Sequence, residues 1–408
     1  MTKIICFDLR CLQIGHESRG IGMHARSMLE NIDPTKDVEY IIYAYDKNDP
    51  IKKLDINIPV AYQLVQTKTV KKSIDSPKDF YYLSQIIWHR FRPLQDKPID
   101  AFIQFDFMLG FPKTKNIKKI LIAYDLIPLI FKDQYMPTPL SEFKKYRGVL
   151  QKSKKTVRAL YYQMRYSLHY KNFFGADLIL SISKDTARSL TTILGIPSSK
   201  IVTIPLAPVF STCVAKKPNQ LNVKNPFIFY IGATDPRKRV QDLIEAFAIL
   251  RDKKLPIDLV LVGKEFAEPK KIPQLSIRDA LENSPYKKDI YTLGYVTDEE
   301  KLWLYKNALV FVFPTVYEGF GLPVLEAMKS GCPVISYNNS SIPEVANDAA
   351  ILIKTGDISA IVNSVKDLCS NEEKALRSSL IRKGVVRSRA FTWTRYMNTF
   401  YSQIDQLT

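Results

Sequence analysis

The sequence predicts an α/β protein with two Rossmann-like domains, each a doubly wound parallel sheet, that face each other across a cleft. Its 408 residues exceed what one hydrophobic core usually organises, and 46% of them are apolar, which is enough for two cores. Short apolar runs rich in β-forming residues alternate with helical patterns throughout, which is typical of parallel sheets covered on both faces. Ligands of such sheets bind beyond the carboxyl ends of the strands, so the loops that follow strands are the candidate functional segments.

The predicted strands divide the chain into two halves. They are residues 4–7, 40–45, 101–105, 120–124, 178–182 and 201–204 in the first half, and 227–231, 259–262, 290–293, 310–313, 334–337 and 350–353 in the second. The stretch between the halves is rich in proline and has no periodicity, so we predict a linker at 206–226 between domains at 1–205 and 227–385. Residues 386–408 are expected to form a C-terminal helix that packs back toward the first domain.

Cysteine and histidine usage argues against a metal site. The five cysteines are scattered and form no CxxC pair, and the four histidines do not stand at metal-ligand spacing, so no metal or other cofactor is expected. No apolar run reaches the roughly 18 residues of a membrane-spanning helix, and the N-terminus turns acidic too early for a signal peptide. The protein is expected to remain cytoplasmic.

The formal net charge of +18 favours an anionic partner. Residues 144–174 combine nine Lys or Arg with seven Tyr or Phe and contain no acidic residue. Such a helix could lie on an anionic membrane surface. The alternative is a solvated basic helix whose aromatic rings pack on their own domain. A nucleic acid ranks last, because no nucleic-acid-binding motif accompanies the segment.

The segment that follows strand 310–313 is the most informative motif. Glu318 and Glu326 bracket Gly319-Phe320-Gly321-Leu322-Pro323-Val324-Leu325, in which Pro323 marks a helix start. A helix N-terminus directs unpaired N–H groups outward, which suits a diphosphate, and glycines let a ligand approach the main chain. The carboxylates then lie where sugar hydroxyls could reach them. The alternative is a structural turn with one solvated glutamate and one on a helix surface.

A second candidate follows strand 227–231, where Gly232 leads into a basic turn and an amphipathic helix. Arg237, Lys238 and Arg239 stand at the N-terminus of that helix, a position that its macrodipole makes unfavourable for cations, so a bound anion would relieve the conflict. Arg237 and Lys238 are the candidates for holding a diphosphate and for stabilising the charge on a departing nucleotide. A solvated basic loop is the alternative.

Weaker candidates follow other strands. Gly20 and Gly22 could let the backbone approach the same phosphates from across the cleft. Asp125 stands at a strand's carboxyl end, where a functional carboxylate is expected, although helix capping or loop bracing explains it equally well. Tyr295 and Val296 could offer an aromatic edge and backbone groups to a nucleotide base.

Other motifs are structural or missing. Ser341 and Glu344 fit a capping box, for which we favour a structural role. The chain lacks a phosphate-binding P-loop, a Gly-x-Ser-x-Gly elbow, an Asp-x-Asp metal motif and an intact GxGxxG fingerprint. The missing motifs therefore argue against kinase, hydrolase and dehydrogenase functions.

Together these segments resemble family 4 of the retaining glycosyltransferases with the GT-B fold, in particular the bacterial mannosyltransferase-like branch that builds O-antigen, capsule and other surface polysaccharides. The similar segments extend over nearly the whole chain, and the most specific ones lie in its second half. They are Arg19-Gly20-Ile21-Gly22, residues 124–129, residues 176–183, Leu194-Gly195-Ile196-Pro197, Pro236-Arg237-Lys238, Leu293-Gly294-Tyr295-Val296 and residues 318–326.

The resemblance implies a role for each residue. Lys238 and Arg237 would bind the donor diphosphate, Glu326 the ribose, and Glu318 with neighbouring amides the transferred sugar. The implied donor-binding set is Gly20, Gly22, Arg237, Lys238, Tyr295, Val296, Glu318, Gly319, Phe320, Gly321, Leu322 and Glu326. Tyr124 and Asp125 would border the acceptor, and the implied catalytic set is Glu318, Lys238, Arg237 and Asp125.

Two positions depart from the family pattern. Tyr124 stands where many relatives carry His, and a tyrosine, with a pKa of about 10, is a poor general base at neutral pH. Ala233 stands where several relatives carry Arg, a duty that Arg237 would then take.

The implied reaction is metal-independent transfer of a hexose with retention, first of all mannose from GDP-mannose, to a lipid-linked or oligosaccharide acceptor. The protein would then be peripheral at the inner face of the cytoplasmic membrane. A UDP-sugar or dTDP-rhamnose donor stays open, as do a GT-B epimerase or phosphorylase. The alternative from another class is a non-catalytic GT-B scaffold subunit.

Overall fold

The computed structural model describes residues 2–13, 16, 20–44, 50–66, 98–111, 116–136, 138, 149–208, 213–370 and 374–408. For residues 50, 66, 149–155 and 158 only the backbone is described. The chain divides into two units, Met1–Leu206 with Trp393–Thr408, and Ala207–Thr392.

The first unit is built on a parallel sheet with the strand order β3-β2-β1-β4-β5-β6-β7 among the described residues. Its strands are β1 Lys3–Asp8, β2 Val38–Ala44, β3 Tyr62–Gln66, β4 Ala101–Gln104, β5 Lys118–Ala123, β6 Leu178–Ser181 and β7 Ile201–Thr203. Its helices, apart from one at the C-terminus of the chain, are α1 Gly20–Glu30, α2 Pro50–Lys53, α3 Ile127–Ile130, α4 Lys132–Tyr135, α5 Val149–Gly175 and α6 Lys184–Leu194. The order reverses between β1 and β4, so the doubly wound switch point lies there.

The second unit has a parallel sheet with the strand order β10-β9-β8-β11-β12-β13. Its strands are β8 Phe227–Ile231, β9 Asp258–Val262, β10 Ile290–Leu293, β11 Val310–Phe313, β12 Val334–Tyr337 and β13 Ile351–Ile353. Its helices are α7 Val240–Asp252, α8 Leu275–Glu282, α9 Asp298–Asn307, α10 Leu322–Lys329, α11 Ile342–Ala346, α12 Ile358–Cys369 and α13 Lys374–Ser388. Every residue of β9, β11 and β12 is buried, as expected for parallel strands with helices on both faces.

The prediction of two doubly wound parallel sheets is confirmed, and each predicted strand is present. Strand β3 was missed, because Tyr62–Gln66 lies at the sheet edge and contains two glutamines, so it does not form a continuous apolar run. Edge strands are only partly covered, so their apolar signal is weak.

The domain boundaries differ from the predicted ones. Apart from Leu206, the predicted linker at 206–226 falls in the second unit, where Asp258 accepts hydrogen bonds from the amides of Lys224 and Asn225 at 2.8 and 3.1 Å. The C-terminal helix begins at residue 393 instead of 386, as α14 Trp393–Leu407, and it is part of the first unit.

Helix α14 is held to the first unit by aromatic packing. The Trp393 ring stacks on His24 of α1 with 5.7 Å between ring centres, and Phe400 stacks on Phe7 of β1 at 6.2 Å. These contacts join the C-terminal helix to the core beneath the first strand. In the part of the chain that the structure describes, no helix combines the length and apolar character needed to cross a bilayer.

Candidate active site

Arg237 and Lys238 lie in the turn that connects β8 to α7. They occupy the 3₁₀ turn Pro236–Lys238, and Arg239 follows in the left-handed conformation with a φ of 48°. Arg239 Nε donates a hydrogen bond to Asp242 Oδ2 in the first turn of α7 at 2.9 Å. Arg239 is therefore balanced by a carboxylate of the helix that it precedes, which offsets the unfavourable macrodipole.

The side chains of Arg237 and Lys238 converge on the carboxylate of Glu318. Arg237 Nη1 and Lys238 Nζ each donate to Glu318 Oε1 at 2.7 Å, and the Thr315 hydroxyl donates to the same oxygen at 3.0 Å. Asp235 Oδ1 is a second carboxylate oxygen near Arg237, 3.6 Å from its Nε. Lys238 is only 8% exposed, so these charges interact where the dielectric is reduced.

This arrangement fixes the charge of Glu318. Burial raises the pKa of the Glu318 carboxyl, but Lys238 and Arg237 outweigh that effect and bring its pKa below the usual value. Burial lowers the pKa of Lys238, and Glu318 opposes the change. Glu318 is therefore ionised at neutral pH. The predicted conflict between these three cations and the helix macrodipole is relieved by carboxylates of the chain itself, which pair with each of them. The alternative of a solvated basic loop is wrong for Arg237 and Lys238, because both side chains are largely buried.

The glycine-rich turn leads from β11 into α10. Pro323 lies in the first turn of this helix, as predicted. Gly321, the residue before Leu322, has a φ of 100°. A Cβ atom there would lie 2.7 Å from Ile342 Cδ1. Both the backbone conformation and this close approach require glycine at position 321.

The same turn is anchored on both sides of Gly319. The Glu318 amide donates to Ser340 Oγ at 3.0 Å, and the Ser341 hydroxyl donates to the Glu318 carbonyl at 2.9 Å. The buried ring of Phe320 packs edge to face on Phe391 with 5.8 Å between ring centres. The Phe320 side chain therefore has a packing role, and only its backbone remains for a ligand.

The predicted capping box at Ser341 and Glu344 is absent. Ser341 precedes α11 without a side-chain cap, because its hydroxyl is used by the Glu318 carbonyl. Ser340 adopts a φ of 46°, which is uncommon for a residue with a Cβ. The loop after β12 thus holds Glu318 and does not cap α11.

Glu326 is buried in α10 and faces helix α9. Lys301 Nζ lies 3.3 Å from Glu326 Oε1, and the Tyr305 hydroxyl lies 3.2 Å from Oε2. Lys301 also approaches Asp298 Oδ1 at 3.1 Å. Burial raises the pKa of the Glu326 carboxyl above its usual value, and Lys301 and Tyr305 oppose this effect without cancelling it. The alternative of a glutamate on the helix surface is wrong, because Glu326 is 5% exposed.

Sequence reasoning missed Lys301 and Tyr305. They are four residues apart, so both stand on one face of α9, next to the buried Leu304. A lysine on an apolar helix face was the available signal that a carboxylate should lie opposite.

Gly20 and Gly22 begin α1 in the first unit. A Cβ atom at Gly20 would meet none of the described atoms within 4 Å, so packing does not require glycine there. Gly22 is buried. Arg19, the first residue of this motif, lies outside the described residues. The role of both glycines toward phosphates stays a prediction.

Tyr124 and Asp125 lie at the carboxyl end of β5. The Tyr124 hydroxyl is 2.7 Å from His24 Nδ1. Burial lowers the pKa of His24 to about 3, so this imidazole is neutral. Asp125 Oδ1 accepts a hydrogen bond from the Ile127 amide at 2.9 Å, which braces the start of α3. His24 was not a candidate in the sequence, although it stands two residues after Gly22.

Two further aspartates at this edge were also missed. Asp8 ends β1 and forms a buried ion pair with Arg10, with distances of 2.7 and 2.6 Å to its two oxygens. Asp106 follows β4, and its Oδ2 lies 3.5 Å from His16 Nε2. Burial raises the pKa of Asp106. Their position in the sequence could have marked both aspartates as candidates, because each directly follows a predicted strand.

Gly294, Tyr295 and Val296 follow β10. A Cβ atom at Gly294 would lie 2.8 Å from Ala267 Cβ, which explains the glycine. The Tyr295 side chain is 84% exposed and open to a planar ligand, whereas Val296 is buried and can offer a ligand only backbone groups.

The basic and aromatic segment forms α5 from Val149 onward, and residues 144–148 lie outside the described residues. Tyr170 and Phe173 are buried against Phe107, whereas Phe174 is 54% exposed. Buried and exposed aromatic rings therefore occur on the same helix, and its contact with a membrane stays a prediction. Within the described ranges, no three His, Cys, Asp or Glu side chains are grouped so that they could hold a metal ion.

The chain is similar in sequence to known glycosyltransferases. Residues 214–384 match the family described as glycosyl transferases group 1. The chain is 34% identical over 240 residues to the O-antigen chain mannosyltransferase B of Escherichia coli, which covers 56% of this chain and 60% of that protein. It is 25% identical over 300 residues to the serotype-specific mannosyltransferase WbdA of Escherichia coli, covering 71% of this chain and 33% of that protein. The chain thus spans less than two thirds of either relative.

Solved structures share the fold. Sucrose-phosphate synthase from Thermosynechococcus elongatus matches with a TM-score of 0.68 and 17% identity over the whole of both chains. WaaG, a glycosyltransferase involved in lipopolysaccharide biosynthesis, matches with a TM-score of 0.63 and 15% identity over 99% of each chain. The predicted GT-B fold is confirmed by these similarities.

Proposed function

We propose that the chain, whose residues 214–384 match the glycosyl transferases group 1 family, transfers a hexose from a nucleotide-sugar to a glycan acceptor in surface polysaccharide synthesis. The observation that carries this proposal is the meeting of Arg237, Lys238 and Glu318 at 2.7 Å. They lie 80 and 81 residues apart, in the loops that follow the paired strands β8 and β11. This edge is where doubly wound sheets bind ligands.

Glu318 has the spare hydrogen-bonding capacity that a sugar contact needs. Its Oε1 accepts all three of the hydrogen bonds that the carboxylate receives from described residues. Oε2 accepts none from that part of the chain, and the side chain keeps 12% exposure. An ionised carboxylate with one oxygen fixed and the other open suits a hydroxyl of the transferred sugar.

Arg237 and Lys238 would hold the donor diphosphate. Guanidinium carries five N–H donors and ammonium three, so both can contact phosphate oxygens while they hold Glu318. Two cations fixed beside the departing diphosphate neutralise its charge without a metal ion, which is our reason for proposing metal-independent transfer. Retention follows if the acceptor attacks the face that the diphosphate leaves, with the leaving phosphate taking the proton. The ionised Glu318 then stabilises the positive charge on the sugar ring.

The proposed donor is GDP-mannose. The support comes from relatives, since the O-antigen chain mannosyltransferase B and the serotype-specific WbdA are both mannosyltransferases by name. The proposed acceptor is a lipid-linked or oligosaccharide glycan, which Tyr124 and Asp125 would border.

Nucleotide release from a donor panel tests this function. GDP-mannose, three UDP-hexoses and dTDP-rhamnose are each incubated with an alkyl-linked mannose disaccharide in the presence of EDTA, and the product is examined by NMR. We expect turnover with GDP-mannose and an α-linked product. Release that requires both a UDP-sugar and added metal would overturn the donor and the metal independence. Binding of a donor without turnover on any acceptor would favour the scaffold class.

We also propose that helix α5 binds the anionic inner surface of the cytoplasmic membrane. Val157, Leu160 and Met164 are 54, 49 and 46% exposed, and their spacing of three and four residues places them on one helix face. Large apolar side chains at such exposure on one face, in a segment that has only basic charges, fit the boundary between headgroups and acyl chains.

Liposome sedimentation tests the docking. The protein should sediment with vesicles that contain phosphatidylglycerol, and binding should fall as salt screens the basic charges. The V157S/L160S/M164S variant should bind several-fold more weakly, whereas serine at the exposed Val386 of α13 is the matched control. Equal sedimentation of the triple variant would contradict the proposal.

A further inference from the structure

We propose that Lys301 and Tyr305 are positioning residues that hold Glu326 ionised and oriented, so that it accepts hydrogen bonds from the two vicinal hydroxyls of the donor's ribose. This inference rests on the proposed function and assigns a task to two residues of α9 that the family resemblance did not mark. It depends on the contacts, the spare acceptor capacity and the charge of Glu326.

The contacts come from one helix face. Lys301 and Tyr305 stand one turn apart on α9, and each reaches a different oxygen of Glu326, at 3.3 and 3.2 Å. Holding both oxygens at once fixes the plane of the carboxylate. The Pro323 carbonyl is a second acceptor 3.2 Å from the Tyr305 hydroxyl, whose single proton it shares with Glu326 Oε2.

The spare capacity matches a diol. A carboxylate offers about four acceptor sites, two on each oxygen. In the described structure Lys301 occupies one acceptor site on Oε1 of Glu326, and Tyr305 occupies one acceptor site on Oε2. One site therefore remains on each oxygen, which is the number that the two neighbouring hydroxyls of a ribose would fill.

The charge of this site depends on Lys301. Glu326 is 5% exposed and Lys301 is 7% exposed, so neither charge is stabilised much by water. Without Lys301 the buried carboxyl would be neutral over a wider pH range, and a protonated oxygen donates instead of accepting. Asp298 is the second carboxylate of Lys301, but its side chain is 49% exposed and only weakly coupled.

The test measures how strongly each variant prefers a nucleotide with the 2′ and 3′ hydroxyls of ribose over the same nucleotide without them. Binding of GDP and of 2′,3′-dideoxy-GDP is measured by calorimetry for the wild type and for K301M, K301R and Y305F. Because hydrogen bonds to charged groups are the strong class, the wild type should bind GDP roughly 10- to 100-fold more tightly than the dideoxy form. K301M should lose most of this ratio and bind the dideoxy form as the wild type does, K301R should keep part of it, and Y305F should reduce it several-fold.

The matched control is K306M, which removes an exposed lysine from the last turn of the same helix and should leave the ratio unchanged. A loss of affinity in K301M that is equal for both nucleotides, or an unchanged ratio in both K301M and Y305F, would overturn the inference. Y305F removes one oxygen atom only, so it decides the case if K301M does not fold. A wild type that binds neither GDP nor UDP would instead overturn the proposed function.

Discussion

Glu318 and Glu326 flank the same turn and the same helix start, but their carboxylates are held in opposite ways. Glu318 accepts short hydrogen bonds of 2.7 Å from two cations on a single oxygen, and its pKa is lowered. Glu326 has one partner on each oxygen at 3.2 and 3.3 Å, and its pKa is raised. The Glu318 carboxylate is therefore held through one oxygen by two cations, whereas the Glu326 carboxylate is held through both oxygens by one partner each. The difference suggests different tasks.

Replacing Glu318 should have the largest effect on stability. E318Q removes the anion that Arg237 and Lys238 share in a buried position, and breaking a buried ion pair costs about 3–5 kcal/mol. E326Q should cost less, because its contacts are longer. Urea unfolding of the two variants measures the difference. Added pyrophosphate should recover part of the loss in E318Q, since it supplies the missing negative charge, and equal loss in both variants would contradict the comparison.

Removing Lys238 should have the largest effect on turnover. K238M takes away one of the two cations proposed to neutralise the leaving diphosphate, and losing a single preorganised donor of this kind lowers kcat by about 10²–10³-fold. Steady-state nucleotide release measures it. K253M, at the exposed end of α7, is the control and should keep its rate. A near wild-type rate in K238M would show that the cations serve only to hold Glu318.

The two carboxylates should respond to pH with opposite signs. Glu318 has a pKa below its usual 4.5, so its contribution to stability is present above that value and is lost as the pH falls through the folded-state pKa. Glu326 has a pKa above 4.5, so stability is lost as the pH rises through its folded-state pKa. The stability difference between wild type and E318Q should therefore grow with pH, whereas that between wild type and E326Q should shrink, by at most about 1.4 kcal/mol per pH unit. Slopes of the same sign in unfolding series from pH 3 to 7 would contradict this assignment.

The smallest effect is expected from S341A. The Ser341 hydroxyl supplies the hydrogen bond to the Glu318 carbonyl, and losing it should cost about 1–2 kcal/mol and lower kcat modestly by loosening Glu318. S402A, on the exposed face of α14, is the control. An unchanged kcat in S341A would mean that Arg237, Lys238 and Thr315 alone position the Glu318 side chain.

Much of the fold and part of the candidate site were predictable from sequence. Continuous apolar runs marked the buried strands, because a parallel strand has both faces covered, and β3 escaped because an edge strand carries polar residues. Arg237, Lys238 and Glu318 were found because they follow strands, at the edge where such sheets bind ligands. Glu326 was found by its distance from Glu318 in a known motif.

The partners of these residues were not predictable. Lys301 and Tyr305 meet Glu326 across 25 and 21 residues, and Ser340 and Ser341 hold the Glu318 backbone across 22 and 23. Local periodicity says which face of a helix is buried, but not which carboxylate lies opposite a buried lysine.

The sequence by itself determined the two parallel sheets, the order of their strands along the chain and the loops that carry the chemistry, because these follow from local hydrophobic pattern and turn residues. Only the tertiary structure decided that the cations already have carboxylate partners and that the two glutamates differ in charge environment. The physical reason is that a pKa and a hydrogen bond depend on burial and on distances of a few ångströms between residues far apart in the chain.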